Sequence, residues 1–384
     1  MGQTTTRHRR PARPLLRRSA RAFRPRLLLA SVVAVAMVAL TPHAALAQAN
    51  ELPAEVVTTT RLTGEQEQAV RAFARQQAEE LGSADAEIRR RARGRLLRPL
   101  ATPNASVSFR LAYSGALMPE LDRLARQSEI EIRLNAIRVA GELATQDSSD
   151  LILRALDADA TEVRIMGSYA LRRTFESLAT QPPALAEGRV RSLLDRAAAM
   201  VEREPDPLAF DSAVRTLAAA GRIARPNLNL RNDAYRRLAE SVSERIRANP
   251  IPRDALGVMR TGEALLDVLR SVESLDTRAA IAAGGFAGDA LAMVRDALAS
   301  DAALPASDRE RLVSLAQIVE AVVFFARTVA DPSQTPEPTN HATSLRDHGD
   351  LDRFNAGLER DLIGANGALT RRPFGFNADR FEQR

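Results

Sequence analysis

A chain of 384 residues is long enough to bury a sizeable core, and this one sets 54 Arg, with no Lys, against 48 acids for a formal net charge of +6. It has no Cys. These absences exclude disulfides, thiolate nucleophiles, Cys-ligated metals and Schiff-base lysines.

The first 47 residues carry the three parts of a secretory signal. An Arg-rich stretch runs to Arg26, a 14-residue apolar run follows from Leu27 to Leu40, and Ala45 and Ala47 frame a cut after Ala47. The apolar run is short for a membrane span, which needs about 20 residues. An uncleaved anchor is the rival reading. Arg17 and Arg18 only weakly resemble a twin-arginine signal. The segment holds nine Arg and no acid, so the rest of the chain has a formal net charge of −3. The basic balance is therefore no argument for nucleic-acid binding. Export predicts a periplasmic or secreted protein held together by packing alone.

Residues 48–64 are polar, with an extended piece expected at VVTTT from Val56. From residue 65 to 330 the pattern is helical almost throughout. Ala, Leu, Arg and Glu dominate, and apolar residues recur at three- and four-residue spacing. Breaks at Gly82, Pro103, Thr145, Pro182, Pro205, Pro226, Pro250 and Pro305 divide it into ten or so helices. Residues 331–345 read as a Pro- and Thr-rich linker and 346–384 as a flexible, Phe-containing tail, with a short helix near Leu351 to Ile363.

One pattern is written twice. EIRLNAIRVAGELA from Glu131 and EVRIMGSYALRRT from Glu162 lie 31 residues apart. Each would be the second helix of a hairpin, opened by a capping box, Ser128 with Glu131 and Asp159 with Glu162. Such a hairpin cannot bury its apolar faces alone, but stacked hairpins share a continuous core. Ser307 with Glu310 reads as a third box. The stripe Leu312, Leu315, Val319, Val322, Ala326 and Val329 behind it predicts a buried packing helix, with a membrane span as the rival.

The motif from Asp159 to Leu171 resembles the second helix of a HEAT-type repeat, in a short HEAT-like variety. Asp159, Val163, Arg164, Gly167, Ala170 and Leu171 match, as do Ile132, Arg133, Ala136, Val139 and Ala140 one unit earlier. Weaker echoes lie at EIRRRARGRLL from Glu87 and SAVRTLAAAG from Ser212. The resemblance covers two units well and two more in part, and is lost as a motif after about Ala224. It implies an all-α helical-hairpin solenoid with longer C-terminal helices. It also implies that Arg133 and Arg164 pair with acids of a neighbouring repeat, a ligand role on the concave face being the alternative.

Four features bear on chemistry. RRRARGRLLR, from Arg89 to Arg98, could grip anionic polymers of the cell envelope through Arg89, Arg91, Arg95 and Arg98. Its bland reading is a solvated helix face neutralised by nearby acids. GGFAGD, from Gly284 to Asp289, lacks the Lys of a phosphate loop and reads as a break or a close-packing stretch. Asp347, Asp350, Asp352 and His348 lack the spacing of a calcium loop, so no metal or cofactor is expected. Phe374, Phe376 and Phe381 would dock either onto a partner or into the solenoid's own groove.

The expected function is a non-enzymatic scaffold that binds a protein partner in the bacterial envelope. Two alternatives stand beside it: a binder of anionic glycans or lipid headgroups through the Arg-rich helices, and an all-helical polysaccharide-active enzyme. The absence of Trp and Lys, with only three Tyr, weighs against the last. No nucleic acid, and no membrane span after signal cleavage, is expected.

Overall fold

The computed structural model describes residues 51–248, 254–271, 273–300, 304–333 and 336–382. The expected signal and its cut after Ala47 lie outside the described residues. The first element, α1 (Ala54–Thr58), is helical where an extended piece was expected. Val56 and Val57 are buried, and the Val57 carbonyl accepts the Ser106 N–H at 2.9 Å, so packing overrides the β preference of the Val-Thr run.

Six helical hairpins follow: α2 (Gly64–Leu81) with α3 (Ala86–Leu100), α4 (Val107–Leu124) with α5 (Ile130–Leu143), α6 (Gln146–Leu156) with α7 (Thr161–Thr180), α8 (Glu187–Arg203) with α9 (Pro207–Ala220), α10 (Arg231–Ala248) with α11 (Ala255–Leu269), and α12 (Thr277–Ser300) with α13 (Ala306–Ala330). First helices stack on first helices and second on second, giving two layers around one continuous core. The protein is an all-α helical solenoid, and α10 to α13 continue the stack beyond Ala224. A two-residue antiparallel ribbon, Ala224–Arg225 with Leu228–Asn229, turns the chain at Pro226 and Asn227 between α9 and α10.

The hairpins begin 43, 39, 41, 44 and 46 residues apart. The 31-residue spacing read from the sequence belongs to one step alone, from the start of α5 to the start of α7. It is short because α6, between them, has only 11 residues.

Helix starts are set by side chains that take up otherwise unpaired N–H groups. Thr63 and Gln66 form a reciprocal box at α2, and Asp85, Ser106 and Asp206 cap α3, α4 and α9. The boxes expected at Ser128, Asp159 and Ser307 do not form. The N-caps are Glu129, Ala160 and Pro305, so Ser128 and Asp159 sit one residue too early to reach the third helical N–H, and Ser307 lies inside the helix.

Close approach of the second helices depends on small residues. A Cβ at Gly141 of α5 would lie 2.6 Å from Ala170 Cα of α7, and one at Gly262 of α11 would lie 2.8 Å from Ile318 of α13. Helix α13 is, among the described residues, the one helix long and apolar enough to cross a membrane. Its stripe from Leu312 to Ala326 is buried, and it packs on α11 and α12.

Gly141→Ala is expected to destabilise the protein by about 1–3 kcal/mol, because α5 and α7 must separate. Gly115→Ala, on an open face of α4, is expected to stabilise it by about 0.5–1 kcal/mol. Denaturant unfolding measures both; equal effects at the two sites would mean that the α5–α7 contact is slack.

Candidate functional site

Arg89 and Arg164 occupy the same place, the fourth residue of α3 and of α7. Each closes the end of the preceding helix and reaches the next hairpin. Arg89 Nη1 donates to the carbonyls of Ser83 and Ala84, both at 2.9 Å, and the guanidinium pairs with Glu129 and Glu131. Arg164 Nη1 donates to the carbonyls of Ala158 and Asp159 at 3.0 and 2.7 Å, while Nε and Nη2 grip Glu204 at 2.8 and 2.9 Å. The Glu204 side chain is 2% exposed, and its hydrogen bond holds Arg164 above the usual guanidinium range. The Glu204 carbonyl also accepts from Arg245, which pairs with buried Asp254 at 2.8 Å and lies 4.2 Å from the Phe210 ring centroid. One buried polar chain thus crosses three hairpins. Arg164 makes the inter-repeat pair that the resemblance implies. Among the described residues Arg133 pairs with no carboxylate: it is half-buried, with a buried Nε that has no hydrogen-bond partner there.

The same lacing recurs. Arg173 pairs with Glu142 at 2.6 Å, Arg237 with Asp195 at 2.7 Å, and Arg189 with Asp150. The Arg89–Arg98 run is not one basic band, because the helical period distributes it over several faces. Arg89 is buried in the joint just described, Arg95 is half-buried against Glu80 at 3.2 Å, Arg98 pairs with Glu51, and Arg91 is exposed.

The tail is packed rather than flexible. Helix α14 (His341–His348) begins inside the stretch read as linker, and α15 (Leu351–Leu358) leads into a π-helical turn at Glu359–Ile363. Phe374 and Phe381 are buried and Phe376 is half-buried, all three against α12. The stretch from Gly284 to Asp289 is uninterrupted helix, and its glycines open the notch. A Cβ at Gly284, Gly285 or Gly288 would lie 2.3, 2.9 or 2.5 Å from Phe374, Phe376 and Phe381 respectively. Asp289 receives Arg380 through two hydrogen bonds, at 3.0 and 2.8 Å, and Ser243 of α10 bonds both. Arg295 donates to the Phe381 carbonyl at 2.9 Å. The three phenylalanines are therefore part of the molecule's own end cap, with only Phe376 keeping a solvent-facing edge.

A cleft of about 800 Å³ lies beside this cap, among α13, Pro336 to His341 and Asp361. Buried Glu320 accepts the N–H groups of His341 and Ala342 at 3.1 and 3.3 Å, pinning the start of α14. Burial pushes the Glu320 carboxyl up to about 7, against the pull of those two N–H groups. His341 Nε2 lies 3.0 Å from Asp361, yet burial holds the imidazole below its ordinary range. His341 is thus a packed, partnered residue and not part of a loose linker. His348, Asp347 and Asp352 are exposed, and Asp350 caps α15. Among the described residues no three His, Asp or Glu side chains converge to hold a metal ion.

Sequence reasoning missed Arg245, Asp254, Asp289 and Arg380. Asp289 alone carries a local signal, a charge among Gly288, Ala290 and Leu291; the other three sit beside charged neighbours and read as surface residues.

Phe381→Ala is expected to cost about 3–5 kcal/mol and to expose the α12 notch, read as protease sensitivity after residue 331. Glu320 gives a pH signature. Its folded pKa is raised, so its contribution to stability is full below about 4.5, falls as pH rises to about 7 and is flat beyond. The stability difference between wild type and Glu320→Gln should fall by roughly 3 kcal/mol across that window. A pH-independent difference would show that Glu320 is not held neutral.

No family model matches the chain, and no curated protein matches it. Solved structures do. An engineered protein is 15% identical over 65% of this chain and 97% of its own, with a TM-score of 0.31. A designed armadillo repeat protein is 12% identical over 64% and 98%, with a TM-score of 0.35. A mutant of Kap121p is 12% identical over 79% of this chain and 38% of its own, with a TM-score of 0.19.

Proposed function

We propose that the protein is a non-enzymatic, HEAT-type scaffold that binds a protein partner in the bacterial cell envelope. The observation that carries this reading is how the polar residues are used. Arg89, Arg164, Arg245, Glu204 and Asp289 are each occupied in holding one hairpin to the next or the tail to the end. What remains is a long two-layer surface, the form in which stacked helical hairpins offer binding area. Hairpins beginning 39 to 46 residues apart sit close to the ~40–47 of HEAT-type and armadillo units. Export rests on the signal-like residues 1–47.

The test is capture of partners by the tagged full-length chain from its native envelope, at low and high salt. Cross-linking must be carboxyl-directed or photochemical, because amine reagents find no Lys. One defined protein, retained in high salt, supports the scaffold. Release of only glycan or lipid by salt would replace it with polymer binding, since that attraction is largely Coulombic.

A further inference from the structure

Three guanidinium groups lie on three successive second helices: Arg93 on α3, Arg138 on α5 and Arg172 on α7. Among the described residues they lack the close carboxylate partners of the Arg residues described above. Arg93 donates to Asn135 at 2.7 Å, and among the described residues no carboxylate pairs with Arg93 or Arg138. Arg138 Nε is buried without a hydrogen-bond partner. Arg172 reaches Glu176 only at 3.8 Å, and its side chain is 27% exposed. Tyr169 lies between the two neighbouring cations, its ring centroid 5.7 Å from the Arg138 guanidinium and 5.0 Å from that of Arg172. Burial, then Arg138 and Arg90, lower the Arg93 pKa, so like charges gather around Arg93.

We propose that this row is a docking site for an extended acidic segment of a partner protein, with Arg93, Arg138 and Arg172 as its cations and Tyr169 as the platform between two of them. The inference rests on the scaffold reading and names its partner chemistry. Planar guanidinium forks suit carboxylates, and a fork already stacked on an aromatic ring loses little freedom on binding. Packed helices stand about 8–10 Å apart. An extended chain advances about 3.3–3.6 Å per residue, so acids spaced about three residues apart meet successive cations. A long phosphate polymer fits less well. Glu142 and Glu176, both held by Arg173, border the row and would repel a continuous anion. The chain beyond residue 47 also carries a formal net charge of −3, so no general basic field draws such a polymer in.

The probe is a fluorescein-labelled peptide with Glu at every third residue and Gly-Ser between, titrated with the full chain and read by anisotropy. The same peptide with Gln for Glu is the control. Binding of the Glu peptide alone is expected. Arg138→Gln should weaken it about tenfold or more, the loss of one charge-assisted pair. Arg138→Lys keeps the charge without the fork and should fall between. Arg353→Gln, an exposed position of α15, should change nothing. Failure of the Glu peptide to bind would overturn the proposal. So would an equal loss in Arg353→Gln, or displacement of the peptide by a thymidine oligonucleotide or phosphatidylglycerol vesicles at lower concentration. Envelope capture with Arg93→Gln/Arg138→Gln separates the two readings. A partner still retained refutes the docking row and leaves the scaffold standing, whereas one lost only in this variant supports both.

Discussion

Everything in this molecule follows from one constraint: a single helical hairpin has apolar surface on more sides than it can cover. Leu143, Ile152, Leu171 and Leu194 are all at 0% exposure, and each lies at or between hairpins. A buried side chain of that size is worth about 1.5–3 kcal/mol only once a neighbouring unit has covered it. Stacking is therefore the fold, and the distance between stacked helices sets its precision. Gly141 against Ala170 and Gly262 against Ile318 let backbones approach where a methyl group would intervene.

The stacking constraint explains the otherwise odd composition. With no disulfide available, polar lacing falls to arginine, whose fork can satisfy two helix-end carbonyls and a carboxylate at once. In the pairs Arg164 with Glu204 and Arg245 with Asp254 the carboxylate is buried, the guanidinium is half-buried, and each charge is matched. Losing one partner would leave the other desolvated and uncompensated, so such pairs fix how hairpins meet more than they raise stability.

A solenoid must also end. The last first-layer helix, α12, would present Gly284, Gly285 and Gly288 as a notch. The tail closes it with Phe374, Phe376 and Phe381 and locks it with Arg380 on Asp289. Two motifs 90 or so residues apart in sequence, one Gly-rich and one Phe-rich, are the two halves of one contact. This cap also accounts for Glu320, which holds the first turn of α14 against α13.

Helical periodicity and hairpin stacking could be read from the residues, because they arise from spacing within one or two helices, whereas the Arg164 joint was implied by the HEAT-type resemblance. Breaks at Gly and Pro could be read for the same reason. Cap residues could not be placed to better than one position, since Ser128 and Asp159 compete with Glu129 and Ala160 for a register that packing decides. Nor could the true repeat spacing, because only the second helices carry the motif and the length of α6 hides the period. An all-α stack held by packing, without disulfides, follows from composition and helical period alone. Which Arg become joints between hairpins, which flank Tyr169, and where the tail lies are settled only by the packed fold. Those outcomes depend on contacts between residues some 30 to 140 positions apart, such as Arg138 with Tyr169 and Arg380 with Ser243, and no local pattern encodes them.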